Sequence, residues 1–125
     1  MKNMTFKEFQ AVNAERAKLW HKHGIREWGL VDWTNATAGE AGELCNAAKK
    51  LQRYYDEIPG NVQEVDEDPI EFESELQQAV EEEIADTITY AFLVASHLDL
   101  DVEKLIVDKF NQVSERNGFK IFLEE

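Results

Sequence analysis

Two pairs of acids stand three residues apart in this chain, Glu40 with Glu43 and Glu83 with Asp86. Positions three apart on a helix share a face, and each pair lies in an apolar, helix-forming stretch. Each segment therefore presents two carboxylates side by side, close to residues expected in the core. Four like charges there repel one another and are expensive to desolvate. A divalent metal is the simplest remedy. Hard cations take oxygen ligands, and two antiparallel helices carrying these pairs make an all-oxygen site. A di-iron bundle instead uses Glu-x-x-His motifs, and neither pair contains His. Oxygen-only ligation favours Mg²⁺ or Mn²⁺ over iron.

Asp86 is the most telling of the four, since Ile84, Ile88 and Tyr90 surround it in sequence and a buried, unpaired Asp costs several kcal/mol. Glu81 and Glu82 read as a solvated face. His97, eleven residues past Asp86, reads as a capping or packing histidine rather than a ligand. Cys45, the single cysteine, excludes an internal disulfide and is expected to pack in the core of its helix.

Four helices must position these groups. Thr5-x-x-Glu8 is a capping-box pattern opening a first helix with Phe6, Phe9 and Val12 on its apolar stripe and Gly24 as a stop. Residues 24–32 read as a loop. The second helix is expected over about 33–54 with Ala36, Ala41, Leu44, Ala48 and Leu51 buried and Glu40 at the border of that face. Residues 55–73 read as an acidic, proline-containing connection without the EF-hand pattern. The third helix is expected over about 73–98. Val80, Ile84, Ile88, Ala91, Ala95 and Leu98 would form its buried row, with Glu83, Asp86, Tyr90, Leu93 and His97 beside it. Asp101 caps a fourth helix, Gly118 ends it, and an extended tail follows. The expected fold is a single all-α domain, residues 1–125, of four-helix-bundle type.

The 125 residues carry a formal net charge of −13. No Lys or Arg occurs between Arg53 and Lys104, an interval holding 16 of the 26 acids. So acidic a surface argues against coating nucleic acid. The run from Ile84 to Leu98 is too short to span a bilayer, and the first residues lack an apolar leader. No membrane association and a cytoplasmic location are expected.

At these residues the chain resembles the MazG-like, all-α nucleoside triphosphate pyrophosphohydrolases. GEAGELCNAAKK (39–50) is similar to the family's first metal motif, EEEIADTITYAFLVA (81–95) to its second, and KFNQVSERNGF (109–119) to its C-terminal segment. The resemblance covers about residues 33–119, and it is the combination of motifs that is specific. It implies hydrolysis of a (deoxy)nucleoside triphosphate to the monophosphate and pyrophosphate, with Glu40, Glu43, Glu83 and Asp86 holding Mg²⁺. One of the four, with Glu43 as the candidate, would orient or deprotonate the attacking water. Lys109 matches the family's phosphate-binding lysine, with Asn111 and Arg116 as helpers. Tyr90 would stack on the base or pack in the core.

Lys50 follows Glu43 by seven residues, so it shares that face and is either a substrate contact or a solvated lysine. Trp33 and Trp28 are candidates for base stacking or, as the plainer role, buried anchors. Asn35 is a weaker substrate candidate. One departure from the family is the separation of the two metal motifs by 39 residues, 44–82, which bears on substrate choice more than on chemistry. The resemblance also implies a homodimer or homotetramer. The competing reading is a helical oligomer that binds metal or nucleotide without turnover.

Overall fold

The computed structural model describes residues 3–57 and 69–124. Their regular elements are α1 (Phe6–Ala17), α2 (Leu30–Tyr55), α3 (Pro69–His97) and α4 (Val102–Arg116), with a 3₁₀ turn at Gly24–Arg26. No strand occurs among the described residues. None of these helices is long and apolar enough to cross a membrane. The connection expected over 55–73 lies largely outside the described residues. Its last part is helix: α3 begins at Pro69, where the missing N–H is harmless because a first-turn N–H has no intrahelical partner.

The chain divides into two compact units. One is Val31–Ala91 and the other combines Met1–Leu30 with Phe92–Glu125. The first is a helical hairpin. At one end the Tyr54 ring lies 6.1 Å from Phe72, and Tyr55 donates to Glu73 at 3.0 Å. At the other end Trp33, only 1% exposed, lies 6.4 Å from Tyr90. The two helices are therefore antiparallel.

The packed face of α3 is rotated from the one the apolar pattern suggests, while that of α2 largely matches it. On α2 the covered positions include Trp33, Ala36, Glu40, Ala41, Leu44, Ala47 and Leu51, while Ala48 and Cys45 are exposed. Glu40 thus stands in the middle of the packed face, not at its border. On α3 the row expected inside is largely outside: Ile84 is 44% and Ile88 47% exposed, and Leu98, just past the helix, is 46% exposed. The covered row is Leu76, Ala79, Val80, Glu83, Thr87 and Tyr90. Asp86, expected to be buried, is exposed. The reason is geometric. Each helix offers a carboxylate to the other, and the apolar residues a few positions away turn outward with the same rotation.

The second unit is built on an aromatic cluster. Phe6 and Phe9 meet the Phe92 ring edge-on at 6.0 and 4.9 Å, and Phe92, Ala95 and Val102 form its buried core. The capping box is present: Thr5 Oγ1 accepts from the Glu8 N–H and Glu8 Oε2 accepts from the Thr5 N–H, both at 3.1 Å. Gln10 holds α1 to the turn between α3 and α4. Its amide donates to the Leu100 carbonyl at 2.6 Å and to Ser96 Oγ at 3.3 Å, and its carbonyl oxygen accepts from the Val102 N–H at 3.1 Å. Asp101 caps α4 by accepting from the Lys104 N–H. Gly118, at φ +70°, lets the Phe119 N–H reach back to the Ser114 carbonyl at 2.9 Å. This is a left-handed stop that suits glycine.

Candidate metal centre

The acid pairs converge within the hairpin. Glu40, Glu43 and Glu83 each offer a carboxylate oxygen, and these oxygens lie within 4.8 Å of one another. Glu40 and Glu83 are half-buried and Glu43 is exposed. Two oxygens, Glu40 Oε2 and Glu83 Oε2, have essentially no access to water and no hydrogen-bond donor. Such groups are rare because an unpaired buried acceptor loses its full solvation energy. A shared proton or a cation can satisfy carboxylates that face one another.

The electrostatics follow from this packing. Desolvation, and then the charges of Glu43, Asp86 and Glu83 with a hydrogen bond from Glu43, push the Glu40 carboxyl up from 4.5 to about 6. Glu83 is also raised, by desolvation first and by Glu43 next. Asp86 is outside the tight trio, yet its charge is felt at both Glu40 and Glu83. The donor set is all oxygen and anionic, which fits a hard divalent cation such as Mg²⁺.

A cavity of about 400 Å³ adjoins the carboxylates. From α2 it is lined by Gly39, Gly42, Glu43, Asn46, Ala47 and Lys50. Leu76, Ala79 and Glu83 of α3 form the other wall. Lys50 therefore shares a cavity with Glu43, as their seven-residue spacing suggests. Asn46 was not among the sequence candidates. The signal for it was available, because it lies one helical turn from both Glu43 and Lys50.

The remaining candidates have other surroundings. Trp33 is a buried anchor against the half-buried Tyr90, the structural role set beside base stacking for both. Trp28 meets His21 edge-on at 4.6 Å, and Asn35 is exposed on α2. His97 Nδ1 donates to the Ile25 carbonyl at 3.2 Å, a packing role. Lys109, Asn111 and Arg116 belong to the other unit. Lys109 donates to Gln112 at 3.1 Å. Asn111 ties down the tail: its amide donates to the Leu123 carbonyl at 2.8 Å, and its oxygen accepts from the Leu123 N–H at 2.7 Å. Arg116 is exposed in the last turn of α4.

In comparisons with known proteins, no family model, no curated protein and no solved structure matches the chain.

Proposed function

We propose that the hairpin carries a Mg²⁺ site, with Mn²⁺ as an alternative occupant, for hydrolysis of (deoxy)nucleoside triphosphates to the monophosphate and pyrophosphate. The observation that carries this reading is the convergence of three carboxylates from two helices, with two oxygens buried and unpartnered. Glu40, Glu43 and Glu83 would hold the cation, with Asp86 beside them. When bound, such an ion neutralises phosphate charge and makes a water more acidic.

The chain's own residues supply the rest. Glu43 is the exposed member of the trio, so it is the carboxylate best placed to orient or deprotonate a water entering from the cavity. That water would attack the α-phosphorus, and the bond to the β-phosphate bridging oxygen would break as pyrophosphate leaves. Lys50 brings positive charge to the same cavity as the carboxylates, where it can hold a phosphate. Lys109, Asn111, Arg116 and Tyr90 remain substrate contacts on the strength of the MazG-like resemblance alone. The same resemblance suggests a homodimer or homotetramer with a role in clearing the nucleotide pool. The exposed Ile84 and Ile88, one turn apart on α3, support self-association.

A panel of ribo- and deoxynucleoside triphosphates with Mg²⁺ tests the reading. Pyrophosphate release from at least one, abolished in Glu43→Ala and strongly lowered in Asp86→Asn, is the expected result. Absence of release with every nucleotide overturns hydrolysis and leaves a binding module.

A further inference from the structure

Gly39 and Gly42 stand inside a 26-residue helix, where glycine is the least favourable residue apart from proline. Nothing among the described residues requires them. A Cβ built on either meets no atom within 4 Å, and neither has a backbone conformation reserved for glycine. Both line the cavity beside the carboxylates, and Glu83 in its opposite wall carries one of the buried, unpartnered oxygens. A helix that keeps two bare positions, both on one cavity and neither needed for internal packing, has left room for something that comes from outside.

The chemistry along this face is ordered. Proceeding along α2 come Gly39 and Gly42, then Glu43, then Asn46, then Lys50. Seven residues separate Gly39 from Asn46, roughly 10 Å of helix. The glycine end offers only Cα–H surface, because mid-helix N–H groups are already bonded within the helix. It therefore suits a flat, uncharged group and offers nothing to a phosphate. The Asn46 and Lys50 end presents an amide and an ammonium, which suit phosphate oxygens.

We propose that Gly39 and Gly42 form the seat of the substrate's nucleoside part, which places the polyphosphate toward Asn46 and Lys50 with the carboxylates between. This rests on the nucleotide reading of the site and adds an orientation and a size limit to it. The glycines thus act as specificity determinants: the substrate occupies the space that two methyl groups would fill.

The test uses the full chain with Gly39→Ala, Gly42→Ala and Lys50→Ala, and two kinds of probe with Mg²⁺: inorganic pyrophosphate, and the set of deoxynucleoside monophosphates. Thermal unfolding without ligand is read first. Each alanine should raise Tm by a few degrees, since it removes a helix-breaking residue without a clash. Titration calorimetry should then show monophosphate binding weakened roughly tenfold by Gly42→Ala, the scale of one methyl group in a fitted pocket, with pyrophosphate binding unchanged. Lys50→Ala should do the reverse. Glycine variants that are more stable but bind every probe as the wild type does overturn the seat. So do glycine variants that lose Tm and change oligomeric state by light scattering, which would assign the bare face to a second copy of the chain. A wild type that binds none of the probes and hydrolyses no triphosphate overturns the functional reading itself. A wild type that hydrolyses them while the glycine variants match it overturns only the seat.

Discussion

Replacing Glu40 by glutamine should make the metal-free protein more stable at neutral pH. Glu40 stands in the middle of the packed face of α2, and its carboxyl is pushed up from 4.5 to about 6, chiefly by desolvation and then by Glu43. A carboxyl raised on folding contributes stability that is complete below the unfolded value of 4.5 and is lost as pH rises through about 6. The move corresponds to roughly 2 kcal/mol at neutral pH, and solvent screening at a half-buried site leaves roughly 1. Glutamine keeps the shape, removes one of the like charges and offers an amide donor to Glu83. In EDTA near pH 7.5, Glu40→Gln should therefore raise stability by about 1 kcal/mol, or Tm by about 3–6 °C. Near pH 5, where the folded wild type already holds the proton, the difference should shrink by half or more. Added Mg²⁺ should reverse the order. At ten times its Kd it contributes about 1.4 kcal/mol to the wild type and much less to a variant lacking one ligand. Circular dichroism melts of both proteins at both pH values, with EDTA and with MgCl₂, check the whole scheme. A variant less stable than wild type in EDTA at neutral pH, or an equal Mg²⁺ gain in both proteins, would refute it.

Asp86→Asn, at an exposed position, should change stability by less than about 0.5 kcal/mol while lowering pyrophosphate release by roughly a hundredfold. Urea denaturation and a pyrophosphate assay separate the two effects. Gln10→Ala removes three hydrogen bonds between α1 and the turn before α4 and should destabilise by about 2 kcal/mol, read from the shift in urea midpoint. Gly118→Ala has open space for its Cβ but a φ of +70°, so it should lose about 1 kcal/mol for conformational reasons alone. Ile88→Glu should reduce any homo-oligomer to a smaller species by light scattering without loss of helix content. An unchanged mass would place self-association elsewhere.

Three element ends were legible because local chemistry sets them, whereas α1 stops at Ala17, short of Gly24, and α2 begins at Leu30, inside the expected loop. Thr5 with Glu8, Asp101 and Gly118 each act through bonds to their near neighbours, and all do so in the structure. The facing of α3 was not legible, whereas four of the five residues expected inside on α2 are covered. A search for apolar periodicity excludes charged residues from the packed row. Glu40 and Glu83 therefore counted as flanking groups, and Ile84 and Ile88 were assigned inward. Once the carboxylates are admitted to the interface, the rotation follows, and Asp86 turns outward with the isoleucines. The carboxylate trio was readable from spacing, because antiparallel helices bring such pairs together in register. Asn46 was readable by the same rule from its one-turn offset to Glu43. The clamp by Gln10 was not, since none of its partners is near it in sequence.

That clamp has a consequence for the order in which the molecule is built. The partners of Gln10 lie 86, 90 and 92 residues further along the chain, and the Phe92 ring that receives Phe6 and Phe9 is as remote. α1 is the first described helix to be synthesised, and apart from the nearby Gly24–Arg26 turn the partners described for it await the end of α3 and the start of α4. Contacts this distant carry a large loop-closure term and form late. The α2–α3 hairpin, whose partners are far closer in sequence, can close before them. During synthesis α1 therefore waits as a 12-residue helix with only the short Gly24–Arg26 turn beside it, a length at which helices in water are only marginally formed. Its capping box is what biases it toward helix in that interval, well before the aromatic cluster can hold it.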